Sequence, residues 1–343
     1  MLSVYTLEDT EKWDTVVCSF HDYDVYWLSG YVKAFQIHGD GEPILFFYDD
    51  GCTRGINVVM MRDIAKANPF RNQLEEDTYF DVATPYGYGG WIIEGKDVEE
   101  LFQTYFDWLE NNNVICEFVR FHPLVKNHDA CRGFYEVDCL GEVVHMDLSS
   151  PEAIWKNLTS ENRNRTRKAL ANGVRVQHGN TSEIYGEFPR LYNATMDRNG
   201  ATDYYYFDRP FYESVLSDLA RNSQVFWAEV DGKVIAASIM IFANKYLNFH
   251  LSGSLEEFNT LAPNNLIMYS AAIWGYENGY NTFLLGGGVG SKDDTLLRYK
   301  RTFYRGARNH FFIGKKIISP DRYDYLVELS GLGESQYFPQ YRA

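Results

Sequence analysis

The chain has 343 residues, 45% apolar and 23% charged, the balance of a globular protein in water. No run of about 18 apolar residues is present to form a membrane-crossing helix. The net charge of −15 excludes a protein that coats nucleic acid through bulk positive charge, so a DNA partner is not expected. The length exceeds one ordinary core and points to two domains. Five scattered cysteines (Cys18, Cys52, Cys116, Cys131, Cys139) show neither metal spacing nor an even count for disulfides. With acids in the first residues where a secretory leader would be basic, a reduced, cytoplasmic setting is expected, with no bound metal.

In chain order, helical spacing is expected over 7–17 and 25–38. Apolar runs at 42–50 (EPILFFYDD) and 54–61 (RGINVVMM), turned at Gly51, read as a hairpin. A strand at 78–83, a helix at 98–111 and a buried strand at 115–121 follow, and 134–150 reads as a connector. The second half repeats this order. Helices are expected over 151–172, 182–198 and 209–221. A hairpin follows over 224–230 and 233–242, turned at Asp231 and Gly232, the strongest short hairpin signal in the chain. A strand at 246–252, a helix at 264–278 and a strand at 282–285 complete the repeat. Two copies of one order make a duplicated α/β design, with domains at 1–145 and 146–331 and a loosely held tail over 332–343.

Charge divides unevenly between the halves. Residues 1–150 carry a balance of −17 and residues 151–343 one of +2. Within the second half, 162–175 holds Arg163, Arg165, Arg167, Lys168 and Arg175 with no acid. The stretch 298–316 holds Arg298, Lys300, Arg301, Arg305, Arg308, Lys315 and Lys316, again with none. Such clusters either form solvated faces or hold an anionic ligand. Between them, 284–294 (LLGGGVGSKDD) runs an apolar strand into Gly286, Gly287, Gly288 and Gly290. Glycines permit close backbone approach to a ligand, phosphate included, but they also serve a plain strand-to-helix turn. In 84–90 (TPYGYGG), Tyr86 and Tyr88 alternate with glycine, so both rings are expected on one side, as a cleft wall or as packing. His122 ends a strand in RFHP, where a base near neutral pH or a passive surface residue would fit.

Five segments in order carry a resemblance: 84–90, 163–173 (RNRTRKALANG) with the strand after it, 251–254 (LSGS), 285–288 (LGGG) and 293–303 (DDTLLRYKRTF). Together they resemble the Fem-type peptidoglycan aminoacyltransferases of the GNAT superfamily. The resemblance implies two tandem GNAT-like domains, each a mixed, mostly antiparallel sheet flanked by helices. It implies transfer of an aminoacyl group from aminoacyl-tRNA to an amine of a nucleotide- or lipid-linked envelope precursor. No cofactor is tightly bound in such enzymes, and membrane contact is at most peripheral. Related GNAT enzymes use acyl-CoA, which leaves N-acylation of an amino sugar as an alternative, and a degenerate fold serving only to bind as a third. On the matching positions, Lys300 with Tyr299 corresponds to the family's aromatic–lysine pair and His122 to an acidic position beside the attacking amine. The glycine cluster with Arg163, Arg167, Lys168 and Arg301 would hold the donor. Lys33, Tyr86, Tyr88, Tyr204 and His250 fall at acceptor-binding positions. The segment 202–212 (TDYYYFDRPFY) departs from the family pattern, and so does His250 where a tyrosine is expected, which puts a muramyl-peptide acceptor in doubt.

Overall fold

A computed structural model describes residues 1–333 and 335–343. They divide into two compact units, one made of Met1–Leu140 and Phe311–Ala343 and the other of Gly141–His310.

Unit 1 opens with β1 (Leu2–Tyr5), α1 (Thr10–Cys18) and α2 (Ser29–His38). Gly39, at φ 99°, ends α2 in the left-handed conformation that glycine adopts without steric penalty. The hairpin β2 (Glu42–Asp49) and β3 (Arg54–Asp63) pairs from Glu42 with Met61 to Asp49 with Arg54. Next come β4 (Phe80–Ala83) and β5 (Ile92–Glu94), both antiparallel to β3. Helix α3 (Glu99–Asn111) crosses to β6 (Val114–Arg120), which lies parallel to β4. A parallel neighbour requires such a crossover. Leu101, Phe102, Tyr105 and Leu109 form the buried stripe of α3 and pack on Phe46, Val82, Trp91 and Val119. The short α4 (His128–Cys131) precedes β7 (Glu136–Asp147).

Unit 2 begins with α5 (Pro151–Asn157), α6 (Ser160–Ala171), β8 (Arg175–Gly179), α7 (Ser182–Asn199) and α8 (Arg209–Ser217). The hairpin β9 (Ser223–Val230) and β10 (Lys233–Ala243), then β11 (Tyr246–Ser254), are antiparallel in sequence. Helix α9 (Pro263–Glu277) crosses to β12 (Thr282–Gly286), parallel to β11, and α10 (Thr295–Arg301) follows. The chain then forms β13 (Asn309–Ile317) and α11 (Pro320–Ser330). Strand order is β1-β2-β3-β4-β6-β13 in unit 1 and β7-β12-β11-β10-β9-β8 in unit 2. Both units therefore share an antiparallel hairpin, a third strand, a crossover helix and a parallel fourth, the duplicated mixed α/β design expected from the sequence.

Four expectations change. The helix expected over 151–172 is two helices, because Thr159 turns the chain and its hydroxyl caps α6 by accepting from the Asn162 amide at 3.2 Å. The expected connector is largely strand β7, whose residues 144–147 pair with β12. Strand β13 was not foreseen. It pairs with β6 (Ile313 with Arg120, Ile317 with Cys116), which draws Phe311–Ala343 into unit 1 rather than leaving 311–331 in the second domain. Nor is the end of the chain loose, since Tyr341 is fully buried against Phe70 and Tyr323.

Unit 1 also holds a buried acid. Glu117 on β6 accepts from the Tyr135 hydroxyl (2.7 Å) and from Asn57 Nδ2 (3.2 Å). Burial outweighs these donors and pushes its carboxyl up to about 7. The folded chain thus retains a proton that the unfolded chain releases near pH 4.5, and stability falls as pH rises from there to about 7. Glu117→Gln is expected to remove that fall and to stabilise unit 1 by about 2–3 kcal/mol above pH 7. Asn57 Oδ1, buried without a partner, can accept from the new amide after a flip. Thermal unfolding at pH 5 and pH 8.5 checks this, and equal pH dependence in both proteins would refute it.

Candidate functional site

The pairing of β11 with β12 is short. Tyr246, Leu247 and Asn248 pair with Thr282, Phe283 and Leu284, and among the described residues the ladder stops there. Both strands continue: β11 runs to Ser254, while the end of β12 stays with β7, Gly286 opposite Val144. The strands therefore part after Asn248 and Leu284. A β-bulge lies at the parting, because Ile239 faces Leu251 while Met240 faces Phe249, leaving His250 as the extra residue. In unit 1 the equivalent strands stay closed. Beyond the Ala83–Phe118 pair, the Thr84 amide donates to the Phe118 carbonyl (3.0 Å) and the Gly89 amide to the Arg120 carbonyl (2.7 Å).

Lys300 fills the mouth of the split in unit 2. It lies on α10, 8% exposed, with its ammonium 5.8 Å above the Phe249 ring on the β11 side. On the β12 side Nζ donates to the Gly287 carbonyl at 2.7 Å. Burial pulls the amine down to about 8, and the Asp294 carboxylate partly opposes this. Such a cation, on a rigid helix and poorly hydrated, suits stabilisation of a charge that develops beside it.

The glycine loop is shaped by Asp294. Its Oδ1 accepts from the Leu297 amide and its Oδ2 from the Val289 amide, both at 2.8 Å, so one carboxylate caps α10 and closes the loop. Burial raises this carboxyl, and the backbone donors outweigh it and hold the group below the usual range. Gly288 packs directly on the Lys292 carbonyl and on Asp294, where no Cβ fits. Gly286 and Gly290 take φ 78° and 58°. Gly287 supplies the carbonyl for Lys300. The cluster thus builds the Lys300 mount, and each glycine has a conformational or contact reason of its own.

Tyr299 packs edge-on to Phe303 at 5.2 Å, with burial raising its phenol and Arg165 opposing that weakly. Its hydroxyl is buried without a partner. Arg301 is engaged by Glu142 (2.6 Å) and Asp293 (3.0 Å). Arg163 donates to the Leu158 carbonyl and to the Ser160 hydroxyl. Arg305 donates to the Leu158 and Lys156 carbonyls at 2.8 and 2.9 Å, so two guanidiniums close the C-terminal end of α5. Arg167 stacks on Trp155 at 5.1 Å, and Lys168 is exposed. Arg308 donates to the Tyr304 and Gly306 carbonyls. Arg163, Arg301, Arg305 and Arg308 thus have partners within the chain, while Arg165, Arg167, Lys168, Arg175 and Arg298 lie exposed.

His122 departs most from expectation. It is fully buried rather than exposed at a strand end. Nε2 lies 3.0 Å from Asp24 Oδ2, and Nδ1 accepts from the amides of Leu124 and Val125 at 3.3 and 3.2 Å. Two amides on Nδ1 fix the proton on Nε2, so the ring clamps the chain after β6 and is poorly placed to take a proton from an amine. Tyr86 and Tyr88 both enter an aromatic cluster, on different neighbours. Tyr86 stacks on Phe35 (5.5 Å), while Tyr88 meets Tyr26 (5.4 Å), His122 and Phe311 edge-on. Gly87 between them takes φ 93°, which breaks the alternation that a strand would need. Lys33 is half-buried on α2, and Tyr204 lies exposed in a short 3-10 turn beside Tyr205. Burial takes the His250 imidazole down to about 3, so it is neutral near pH 7.

Residues 157–301, which contain the split, α10 and Lys300, match the family model described as an acetyltransferase (GNAT) domain. This segment is therefore similar to GNAT acetyltransferase domains. Across 95% of the chain the fold is similar to "Crystal structure of FemX", with 99% of that chain covered, a TM-score of 0.69 and 13% identity. It is also similar to L-PGS from Bacillus licheniformis (TM-score 0.57, 13% identity, 89% of this chain and 91% of that one). A protein of unknown function from Bacteroides thetaiotaomicron matches at TM-score 0.59 and 12% identity, over 92% of this chain and 100% of the other. No curated protein matches the sequence. The shared fold is thus a mixed α/β, tandem GNAT-like fold. No helix among the described residues is long and apolar enough to cross a membrane.

Proposed function

We propose that the chain is an N-acyltransferase of the Fem type, moving an aminoacyl group from aminoacyl-tRNA to an amine of a cell-envelope precursor. The observation that carries this reading is the Lys300 ammonium held between the parting ends of β11 and β12. A donor carbonyl laid along that split would bring its oxygen to Lys300. The neutral amine attacks the ester carbon, and the oxyanion that forms is met by the ammonium. Collapse makes the amide and breaks the ester C–O bond, and the proton lost by the amine ends on the departing ribose hydroxyl. No covalent enzyme intermediate is needed, in keeping with the absence of a nucleophile elbow in the sequence.

The start of α9 favours tRNA over coenzyme A as donor. The usual GNAT coenzyme A signature, Gln/Arg-x-x-Gly-x-Gly/Ala, does not precede α9. Here 255–262 reads LEEFNTLA, with no glycine and with Glu256 and Glu257 exposed. Glu257 is paired with Lys233 at 3.5 Å, and the turn offers a pyrophosphate no glycine backbone. Purified protein with alanyl- or seryl-tRNA is expected to transfer the aminoacyl group to an amine acceptor, with tRNA affinity falling steeply as salt rises. Binding and turnover of acetyl-CoA alone would replace this reading with acyl-CoA-dependent N-acylation. Absence of turnover with both donors would leave a binding protein on a transferase fold.

A further inference from the structure

Helix α10 carries Lys300, and a buried polar relay holds that helix from two sides. Asn162, on α6, is fully buried. Its Nδ2 donates to the Thr302 hydroxyl at 2.7 Å, and its Oδ1 accepts from Asn265 Nδ2 of α9 at 3.2 Å. The Thr302 hydroxyl donates onward to the Tyr299 carbonyl at 2.6 Å. The Thr302 carbonyl accepts from the Thr159 amide at 2.9 Å, one residue before α6. Thr166 Oγ1 donates to the Asn162 carbonyl at 3.0 Å. These links join the first turns of α6 and α9 to the two residues that bracket Lys300, and every member is neutral.

Apolar packing alone would hold α10 less specifically. Leu297 and Phe303 enter the unit 2 core, yet an apolar contact tolerates sliding by a fraction of an ångström. A buried hydrogen-bonded relay does not, because any shift strands a donor or an acceptor away from water. We infer that Asn162 and Thr302 are positioning residues, which set the height of the Lys300 ammonium between Phe249 and the Gly287 carbonyl. The inference rests on the reading of Lys300 as the catalytic cation. Neither residue reaches the split itself. Asn162 acts through Thr302, and Thr302 through the Tyr299 carbonyl.

The test uses the full chain without donor or acceptor. Lysine is labelled with 15N, and the Lys300 signal is assigned by its loss in Lys300→Met. Thr302→Val, which keeps shape and removes the hydroxyl, is expected to loosen α10, admit water and move the Lys300 titration midpoint upward toward ordinary lysine. Thr302→Ser, which keeps the hydroxyl, is expected to titrate like wild type. With donor and acceptor, Thr302→Val should lose about 10- to 100-fold in kcat at unchanged KM, the signature of a misplaced group rather than lost binding. Asn265→Ala removes only the outer link and carries the same test with a smaller shift if Thr302→Val does not fold. A folded Thr302→Val with an unchanged Lys300 titration and unchanged kcat overturns the inference. Unchanged turnover in Lys300→Met overturns the catalytic reading alone, because the titration is read without substrates.

Discussion

Lys300→Met is expected to reduce the proposed acyl transfer at least about 100-fold while leaving the fold intact, the loss typical of removing one donor to a developing oxyanion. Methionine matches the length and apolar stem of lysine, so the contact with Phe249 survives and only the ammonium is lost. Stability should move the other way. Burial takes this amine from 10.5 to about 8, so folding disfavours its charged form. Between pH 8 and 10.5 the unfolded chain binds a proton that the folded chain does not, and wild-type stability rises with pH across that window. Below pH 8 the full penalty is present, about 3 kcal/mol at most. Lys300→Met lacks the penalty, so it should unfold at higher temperature at pH 7 and show no rise between pH 8 and 10.5. The pH profile of turnover separates two roles for the amine. An ammonium that stabilises an oxyanion loses activity above about pH 8, whereas an amine acting as base would gain it. Activity rising through pH 8 would remove the oxyanion role.

Lys300 drew attention in the sequence through a glycine run and two acids nearby and, by the family resemblance, an aromatic–lysine pair, whereas its burial and its bond to the Gly287 carbonyl show only in the fold. The hairpins were legible for the same reason, since Asp231 and Gly232 announce their own turn. What escaped were features whose partners lie far along the chain. His122 looks like a surface residue in RFHP, and its buried partner Asp24 lies 98 positions earlier. Asn162 looks like one more polar residue of a basic helix, yet its amide meets Thr302 and Asn265 across 140 and 103 positions. The arginines' partners were hidden for a related reason. A run without acids left solvated faces and an anionic ligand both open, and in the fold Arg163 and Arg305 donate to backbone carbonyls while Arg301 meets Glu142 from across the unit. Charge counting along a chain cannot register carbonyl acceptors. Strand β13 escaped because its pairing partner β6 lies nearly two hundred residues upstream, so no turn or periodicity marks the return.

That return ends in a charged latch, where a second large effect is expected. Asp81 on β4 is fully buried between two guanidiniums: Oδ1 accepts from Arg62 Nε at 2.6 Å and Oδ2 from Arg342 Nε at 2.5 Å. The Tyr341 hydroxyl donates to the same Oδ2 at 3.1 Å and lies 3.2 Å from the Cys116 thiol. Burial raises the Asp81 carboxyl, and the two arginines outweigh it and hold it below the usual range. Arg342→Ala removes one of two cations and leaves the carboxylate undercompensated in the interior. Breaking a buried pair in this way costs about 3–5 kcal/mol. Unit 1 should therefore unfold first, at a clearly lower temperature than wild type, while the Lys300 titration in unit 2 stays unchanged. The acid limb should shift as well. In wild type the depressed carboxyl contributes stability that is present above pH 3.8 and is lost as pH falls below it. With Arg342 gone the carboxyl protonates at higher pH, so this contribution shrinks and disappears earlier. The double variant Asp81→Asn with Arg342→Met carries neither charge and is expected to recover part of the loss, since the single variant suffers mainly from a stranded carboxylate. A double variant no more stable than Arg342→Ala would show that packing of the chain end around Tyr341, rather than charge compensation at Asp81, holds β13 and α11 on unit 1.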